Sequence, residues 1–180
     1  MNADSALLSR LAAWASPARE ADWSRVYEEQ LPRIYNYFRY RVGADEAEDL
    51  TSVTFEKAWR GRNRYRRDLG AFTTWLFAIA RNVAIDHYRR RVPLEPLDAA
   101  AHVAAPGSPE EDAERASNAA RLAQLLSTLG ERERELIALR YGSGLTNRSI
   151  AKLSGLSESN VGTILHRAIG DLRSRWPGEG

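Results

Sequence analysis

Basic and aromatic side chains are interleaved in one run of the N-terminal half, and this mixture suits the binding of nucleic acid. The run KAWRGRNRYRRDLG, residues 57–70, contains six Lys or Arg residues, with Trp59 and Tyr65 between them. Aromatic rings stack on unpaired bases, while arginines bind the phosphates. We therefore expect this run to bind single-stranded nucleic acid.

A predicted helix follows the run, FTTWLFAIARNVAIDHYRRR, residues 72–91, and it has two different faces. An apolar face at helical spacing is formed by Trp75, Leu76, Ile79 and Val83. Roughly opposite lie Phe77, Arg81, Ile85 and Tyr88. Three further arginines, residues 89–91, close the segment. The second face has two alternative partners: more protein, or unstacked bases and phosphates.

A second candidate site lies in LTNRSIAKLSGLSESNVGTILHRAIGDLRSR, residues 145–175. Thr146 and Ser157 are predicted to cap two helices, and Gly155 between them suits a turn with positive φ. The spacing of Ala151, Gly155 and Val161 is typical of a DNA-binding helix-turn-helix. The alternative is a helical hairpin that packs only on protein.

The outward face of the second helix presents polar groups that can contact base edges and phosphates in a major groove. These residues are Ser159, Thr163, His166 and Arg167. Arg148, Lys152 and Arg173 are placed to hold the DNA backbone. A lone exposed histidine is usually only solvated, so His166 carries no weight by itself.

The elements that position these residues are predicted to be helical throughout, giving an all-α chain of two small helical domains. Residues 1–23 form an N-terminal extension, residues 24–92 and 119–176 form the two domains, and residues 93–118 form a flexible linker. The linker holds four of the seven prolines and a Pro-Gly-Ser-Pro cluster. Within it, Ser108 can cap a helix whose first residue is Pro109.

Charge is unevenly distributed, although the formal net charge is only +2. Residues 24–92 contain 14 Lys or Arg against 9 Asp or Glu, residues 93–118 contain 1 against 6, and residues 119–180 contain 9 against 6. Two basic segments separated by an acidic one indicate two modules that face polyanions. Chance patterning on a solvated surface gives the same distribution, and charge alone leaves both interpretations open.

Composition is typical of a soluble globular protein, with 43% hydrophobic and 28% charged residues. No apolar run approaches the roughly 18 to 20 residues that span a bilayer, and the N-terminus lacks the features of a signal peptide. The chain has no cysteine, which excludes disulfides and thiolate metal sites. We expect a cytoplasmic protein without membrane insertion.

An acidic start opens the predicted helix DEAEDLTSVTFEKAWRG, residues 45–61. Asp45 and Glu48 have the spacing of a capping box. A metal cluster is the alternative for these acids, but no histidine or partner carboxylate is placed nearby, and acids favour a helix N-terminus. We therefore expect no metal and no cofactor. The residues predicted to face a core are Leu50, Thr54, Ala58 and Trp59.

Taken in order, these segments resemble a known family. DEAEDLTSVTFEKAW, the basic loop and FTTWLFAIARNVAIDHYRRR resemble region 2 of an extracytoplasmic-function (ECF) sigma factor of the sigma-70 family. The segment LSTLGERERELIALRYGSGLTNRSIAKLSGLSESNVGTILHRAIGDLR resembles region 4. The resemblance implies a protein that binds core RNA polymerase, recognises −35 and −10 promoter elements and promotes DNA opening. It also implies an anti-sigma protein as a partner.

The resemblance to region 2 implies roles for individual residues. Asp49, supported by Leu50 and Phe55, matches the motif that docks on core polymerase. The loop that begins at Tyr65 matches the loop that captures a flipped base of the −10 element. Binding to the −10 element is implied for Tyr65, Arg66, Arg67, Asp68, Leu69, Gly70, Arg81, Asn82, Tyr88, Arg89 and Arg90. Ser52 and Val53 depart from the family pattern of glutamine followed by an acid.

Region 4 departs from the family pattern as well. Asn147 and Arg148 replace an acidic pair, and Gly162 stands where many members have arginine or lysine. Recognition of the −35 element is therefore expected to depend on Ser159, Asn160, Thr163, His166 and Arg167, with Arg148 and Lys152 on the DNA backbone.

Two other function classes are open to this sequence. A free-standing helix-turn-helix regulator would use the C-terminal half and leave the acidic helix and the basic loop without a role. An enzyme that acts on nucleic acid would need converging carboxylates, a nucleophile with its base or a phosphate-binding glycine loop, and the sequence shows no motif for any of these. We therefore do not expect an enzyme.

Overall fold

Helices make up the regular structure of the described residues. The computed structural model describes residues 17–65, 71–90 and 109–176, and side chains over 23–65, 71–90 and 114–176. The helices are α1 (Pro17–Arg41), α2 (Ala44–Gly61), α3 (Phe72–Arg90), α4 (Pro109–Ser127), α5 (Glu131–Ile137), α6 (Asn147–Ser154) and α7 (Glu158–Arg175). A short 3-10 helix (Arg62–Arg64) follows α2, and a π-helical turn (Ala138–Gly142) follows α5. No strand occurs within these described ranges, and the all-α prediction is confirmed.

A single glycine turns the chain between α1 and α2. The carbonyl of Phe38 accepts hydrogen bonds from the backbone N–H groups of Val42 and Gly43, at 2.8 and 3.3 Å. Gly43 then adopts φ 110° and is the N-cap of α2, a conformation that side-chain-bearing residues rarely adopt. The predicted capping box is therefore wrong. Because α2 begins at Ala44, Asp45 lies inside its first turn.

Helix α2 buries the face that the sequence predicted, except at its end. Leu50, Thr54 and Ala58 are buried, as expected. Trp59 is not: 36% of its surface is exposed, and its ring lies edge-on to Trp23 with centroids 5.3 Å apart. One residue after the buried Ala58 the helix has turned by about 100°, which carries Trp59 to the rim of the core.

Both faces of α3 are engaged with protein. Leu76 and Val83 of the predicted apolar face are buried. Phe77, on the other face, is also fully buried, and its ring meets that of Tyr37 edge-on at 5.9 Å. The aromatic part of the second face therefore packs on α1 rather than facing solvent.

Helix α4 begins at Pro109, as the sequence predicted for this proline. It covers residues 109–118 of the predicted linker, so this part of the linker is helical rather than irregular. Residues 91–108, with Arg91 and the expected cap Ser108, lie outside the described residues. Residues 1–16 of the predicted N-terminal extension lie outside them as well.

The N-terminal half (α1 to α3) packs directly on the C-terminal half (α4 to α7). Helix α1 contacts the π-helical turn, and α3 contacts α6. The buried apolar residues of both halves, including Ile34 and Leu76 on one side and Leu136 and Ile150 on the other, belong to one cluster. The two halves are therefore associated along a shared interface in this conformation.

Neither a membrane-spanning element nor a metal-binding cluster stands out among the described residues. None of the helices described combines the length and apolar character needed to cross a bilayer. In the same part of the chain, no three His, Asp or Glu side chains are grouped so as to hold a metal ion.

Candidate nucleic-acid interface

Two capped helices joined at a left-handed glycine form a helix-turn-helix in the C-terminal half. The Thr146 hydroxyl accepts a hydrogen bond from the backbone N–H of Ser149 at 3.2 Å and caps α6. Gly155 ends α6 with φ 73°. The Ser157 hydroxyl accepts from the N–H of Asn160 at 3.2 Å and caps α7. These three predictions are confirmed, and each cap satisfies a backbone donor that has no partner within its helix.

The inward stripe of α7 fixes the angle of the two helices. Val161 is fully buried, as is Ile150 of α6. Leu165, Ala168 and Leu172 continue the stripe and are also buried. Because one side of α7 is held in this core, its other side must face outward.

All seven residues predicted to bind −35 DNA have exposed side chains: Ser159, Asn160, Thr163, His166, Arg167, Arg148 and Lys152. Spacings of three and four place Thr163, His166 and Arg167 on one face of α7. The Thr163 hydroxyl donates to the carbonyl of Ser159 at 3.1 Å. Arg148 Nε lies 3.6 Å from a carboxylate oxygen of Glu158, and both side chains are largely exposed. This face is therefore accessible to a DNA groove as it stands.

The side chains predicted to bind −10 DNA have mixed environments. Asn82, Arg89 and Arg90 are exposed on α3. Tyr65 is partly buried, with its ring 5.2 Å from that of Phe72 and 5.4 Å from that of Trp75. The remaining loop residues, Arg66, Arg67, Asp68, Leu69 and Gly70, lie outside the described residues. Exposed arginines thus occupy the C-terminal end of α3, while an aromatic cluster lies at its start.

Arg81 does not face solvent with those residues. Its Nε donates to Glu135 Oε1 at 2.6 Å, and its Nη1 donates to the carbonyl of Leu153 at 2.9 Å. Both acceptors belong to the C-terminal half. The hydrogen bond with Glu135 raises the pKa of Arg81, and burial opposes this effect, so the guanidinium stays charged. In this conformation Arg81 joins the two halves.

Tyr88 is likewise engaged with protein. Its hydroxyl donates to the backbone carbonyl of Arg41, at the end of α1. The guanidinium of Arg41 lies over the Tyr88 ring, 4.5 Å from the centroid, at a distance typical of a cation–π contact. Tyr88 therefore anchors the end of α3 to α1.

The three residues assigned to polymerase binding divide between surface and core. Asp49 is exposed on α2. Leu50 and Phe55 are buried, and the ring of Phe55 packs 4.5 Å from that of Tyr27. An open groove of about 350 Å³ lies between α1 and α2, lined by Tyr27, Leu31, Pro32, Tyr35, Glu48, Thr51 and Ser52. Leu50 and Phe55 thus pack α2 on the core, and of these three residues only Asp49 has an exposed side chain.

Sequence reasoning missed the polar contacts between the two halves. Arg33 Nε donates to the carbonyl of Ser143 at 2.8 Å, across 110 positions of sequence. Arg41 Nη2 lies 2.9 Å from Glu131 Oε1. Burial lowers the pKa of Arg33 and raises that of Tyr37, which is enclosed at the same interface. The periodicity of one helix carries no signal for partners so far along the chain.

The sequence and the fold match known proteins. Residues 26–92 match Sigma-70 region 2, and residues 119–172 match Sigma-70, region 4. The chain resembles in structure the sigma factor RpoE from Bartonella quintana, solved in complex with the anti-sigma factor NepR. The TM-score is 0.68 and the identity 24%, over 85% of this chain and 95% of that one.

Curated relatives agree with these matches. The chain is 35% identical to the ECF RNA polymerase sigma factor BldN of Streptomyces coelicolor, over 98% of this chain and 68% of the relative. It is 31% identical to the RNA polymerase sigma factor YlaC of Bacillus subtilis, over 82% of this chain and 88% of the relative. The chain therefore belongs to the ECF sigma factors of the sigma-70 family.

Proposed function

We propose that this sigma factor divides promoter recognition between the outward face of α7 and the exposed end of α3. The face of α7 reads −35 duplex DNA through Ser159, Asn160, Thr163, His166 and Arg167, while Arg148 and Lys152 hold phosphates. The observation that carries this proposal is that all seven side chains are exposed around one correctly capped helix-turn-helix.

The −10 element is bound by the N-terminal half in this proposal. The loop residues 65–70 take the flipped base, and Asn82, Arg89 and Arg90 line the path of the single strand. Exposed arginines on α3 and the aromatic cluster at its start support this role, because stacking and phosphate contacts together offset the cost of unstacking a base. Arg81 becomes available to this surface once its contacts with the C-terminal half are lost, and Tyr88 joins the surface from its position against α1.

Core RNA polymerase joins the two weak DNA contacts into one binding event. Asp49 is the contact on α2, and its exposure supports docking there. Two sites on one platform raise each other's effective concentration, so neither half needs to bind DNA tightly alone. The domains 24–92 and 119–176 are the two binding units, joined through 93–118, with 1–23 as an added extension.

An anti-sigma protein is the proposed inhibitor, and the cytoplasm is the proposed location, where polymerase and promoter DNA are found. The similar RpoE fold was solved with an anti-sigma factor bound, which supports this class of partner. Sigma factors are not enzymes, so we expect no turnover of DNA, RNA or nucleotides by this chain.

Reconstitution with core RNA polymerase tests the proposal. Core enzyme and the purified chain are combined on a promoter library, and transcript start sites are mapped, with Asp49→Ala and Arg167→Ala as variants and Arg132→Ala as the control. We expect initiation at a defined promoter subset, loss of core binding for Asp49→Ala and loss of promoter binding for Arg167→Ala. Tight duplex binding without polymerase, and no association with core enzyme, would instead identify a free-standing regulator.

A further inference from the structure

Helix α7 has a gap in its row of side chains where it lies beside the start of α6. Gly162 is partly exposed and contributes no side chain there. Ser159 and His166, three residues before it and four after it, are exposed and lie on the same side of the helix. The gap at Gly162, called the Gly162 notch below, therefore borders the face of α7 that is proposed to bind −35 DNA.

The side-chain amide of Asn147 lies beside this notch. Asn147 is the first residue of α6. Leaving aside the adjoining residues and backbone of α7, a Cβ atom built on Gly162 would have one described neighbour within 4 Å, the amide nitrogen of Asn147 at 3.6 Å. This is an ordinary van der Waals distance. A longer side chain at position 162 would pass over the amide, whereas glycine leaves it uncovered from α7.

The oxygen of the same amide has no hydrogen-bond partner within the described part of the chain. Asn147 Oδ1 is shielded from solvent and accepts no hydrogen bond there. Asn147 is also not the cap of α6, because the Thr146 hydroxyl accepts from the backbone N–H of Ser149. A shielded acceptor without a partner is costly, so a ligand that draws this side chain outward and bonds to its oxygen gains from relieving that cost.

The surroundings of Asn147 belong to the DNA-facing side of the helix-turn-helix. Arg148, the next residue of α6, has its Nε 3.6 Å from a carboxylate oxygen of Glu158, in the first turn of α7. The starts of the two helices are therefore adjacent. An asparagine amide offers a donor and an acceptor in one plane, and this pair matches N7 and the N6 amino group of adenine in the major groove.

We propose that Asn147 reads an adenine of the −35 element through the Gly162 notch, so that one base contact comes from α6 rather than α7. The proposal rests on the proposed function, since it takes the outward face of α7 to lie in the major groove. The side chain rotates to turn Oδ1 towards the base, where Nδ2 donates to adenine N7 and Oδ1 accepts from the N6 amino group. Gly162 thereby determines specificity by leaving the amide uncovered.

Substitution of Asn147 tests the base contact. The full chain and core RNA polymerase are combined on promoters with a fixed −10 element and a randomised −35 duplex, and base preference is measured at each position. We expect Asn147→Ala to lose an adenine preference of roughly fivefold to a hundredfold at one position, with the other positions unchanged. Asn147→Asp has the same shape but only accepts, so preference there should move towards cytosine.

Asn118, exposed on α4, provides the matched controls Asn118→Ala and Asn118→Asp, which should leave every preference unchanged. A purely structural role of Asn147 would weaken all −35 positions together. Unchanged preferences in both Asn147 variants would overturn the proposal, and an Asn147-dependent preference for another base would overturn the assignment to adenine.

Substitution of Gly162 tests the notch. Gly162 is not among the glycines with positive φ, so a side chain is acceptable to its backbone. Gly162→Arg should cover the amide and move the preference at the same position towards guanine, the usual partner of arginine. Adding Asn147→Ala should then change nothing further. An adenine preference that survives Gly162→Arg would contradict the notch.

Gly170→Arg is the control for charge. Gly170 is exposed about two turns further along α7, and a Cβ atom added to it has no described neighbour within 4 Å. The same positive charge at this position should tighten duplex binding at low salt and leave the adenine preference intact. Equal shifts of preference in both arginine variants would attribute the effect to charge and overturn the role of the notch.

The same experiment separates this inference from the proposed function. If the parent chain directs no initiation with core polymerase, the proposed function fails. If it initiates with clear −35 preferences and none depends on Asn147, only this inference fails. Thermal melting monitors folding, and Asn147→Ala should melt no lower than the parent chain, because it removes a shielded acceptor that has no described partner.

Discussion

The outward face of α7 and the second face of α3 are both rich in groups that bind DNA, yet they are presented differently. On α7 the predicted contacts are exposed. On α3, Phe77 is fully buried, and Arg81 and Tyr88 are bonded to protein. The difference shows that residue type alone does not define a DNA surface. What the neighbouring element leaves uncovered matters equally, and on α3 that neighbour includes the other half of the chain.

The packing of the covered face of α3 should be disrupted most strongly by a substitution of Phe77. Phe77→Ala removes a fully buried ring that packs on Tyr37 and lies 5.8 Å from the guanidinium of Arg33. We expect a loss of about 3–5 kcal/mol in the free energy of unfolding, measured by urea titration. Val53→Ala, at a 37% exposed position, is the control and should change it by less than about 0.5 kcal/mol. A loss below about 1 kcal/mol for Phe77→Ala would mean that this face is not packed as described.

The open face of α7 is tested at Arg167. Arg167→Ala should weaken promoter binding by the polymerase complex by about 1–3 kcal/mol, because it removes the proposed base-edge or phosphate contact. The measurement is a binding titration at fixed salt, with stability checked by thermal melting. Arg132, exposed on α5, provides the control variant Arg132→Ala. If both variants lost the same amount of binding free energy, the effect of Arg167→Ala would be explained by the loss of one positive charge and not by a specific contact.

The turn that aims α7 is tested by a pair of glycines. Neither Gly155 nor Gly170 has an atom within 4 Å of an added Cβ, so alanine at each position changes only backbone energetics. Gly155→Ala forces a left-handed conformation at φ 73° and should cost about 1–2 kcal/mol. Gly170→Ala lies inside a helix and should stabilise the chain by about 0.5–1 kcal/mol. Thermal melts of the two variants should therefore shift in opposite directions, and shifts of the same sign would contradict the turn geometry.

The smallest effect is expected at the exposed ion pair between Arg148 and Glu158. Glu158→Gln should change the free energy of unfolding by less than about 1 kcal/mol, because both side chains are largely solvated. The same variant frees Arg148 for phosphate and removes a negative charge, so duplex binding should tighten at low salt and return towards the parent value at high salt. A salt titration of duplex binding measures this, and weaker binding at low salt would argue against Arg148 as a phosphate contact.

The helix-turn-helix was predictable because its determinants are local. Thr146, Gly155 and Ser157 each act on residues within four positions, through a cap or a turn. The burial of Val161 follows from helical periodicity alone. Local chemistry of this kind can be read from one sequence, and all four expectations agree with the structure.

The start of α2 and the environment of Arg81 were not predictable in the same way. The sequence predicts a capping box at Asp45, but the chain turns earlier, at Gly43, which has φ 110° and is the N-cap of α2. At this turn the backbone N–H groups of Val42 and Gly43 bond to the carbonyl of Phe38 in α1. The resemblance to region 2 implies that Arg81 lies near DNA, whereas its partner in the structure, Glu135, is 54 positions away. No helical period connects such residues. Only the packing of one half on the other shows that the guanidinium is already occupied.

The contact between Arg33 and Ser143 has a consequence for biosynthesis. The two residues are separated by 110 positions, and at a synthesis rate of about 5–20 residues per second the second follows the first by about 5 to 20 seconds. During that interval α1 has emerged without the turn that later covers it. A protein that binds this face of α1 would therefore meet no competition from the C-terminal half while the chain is still on the ribosome, before that half has been made.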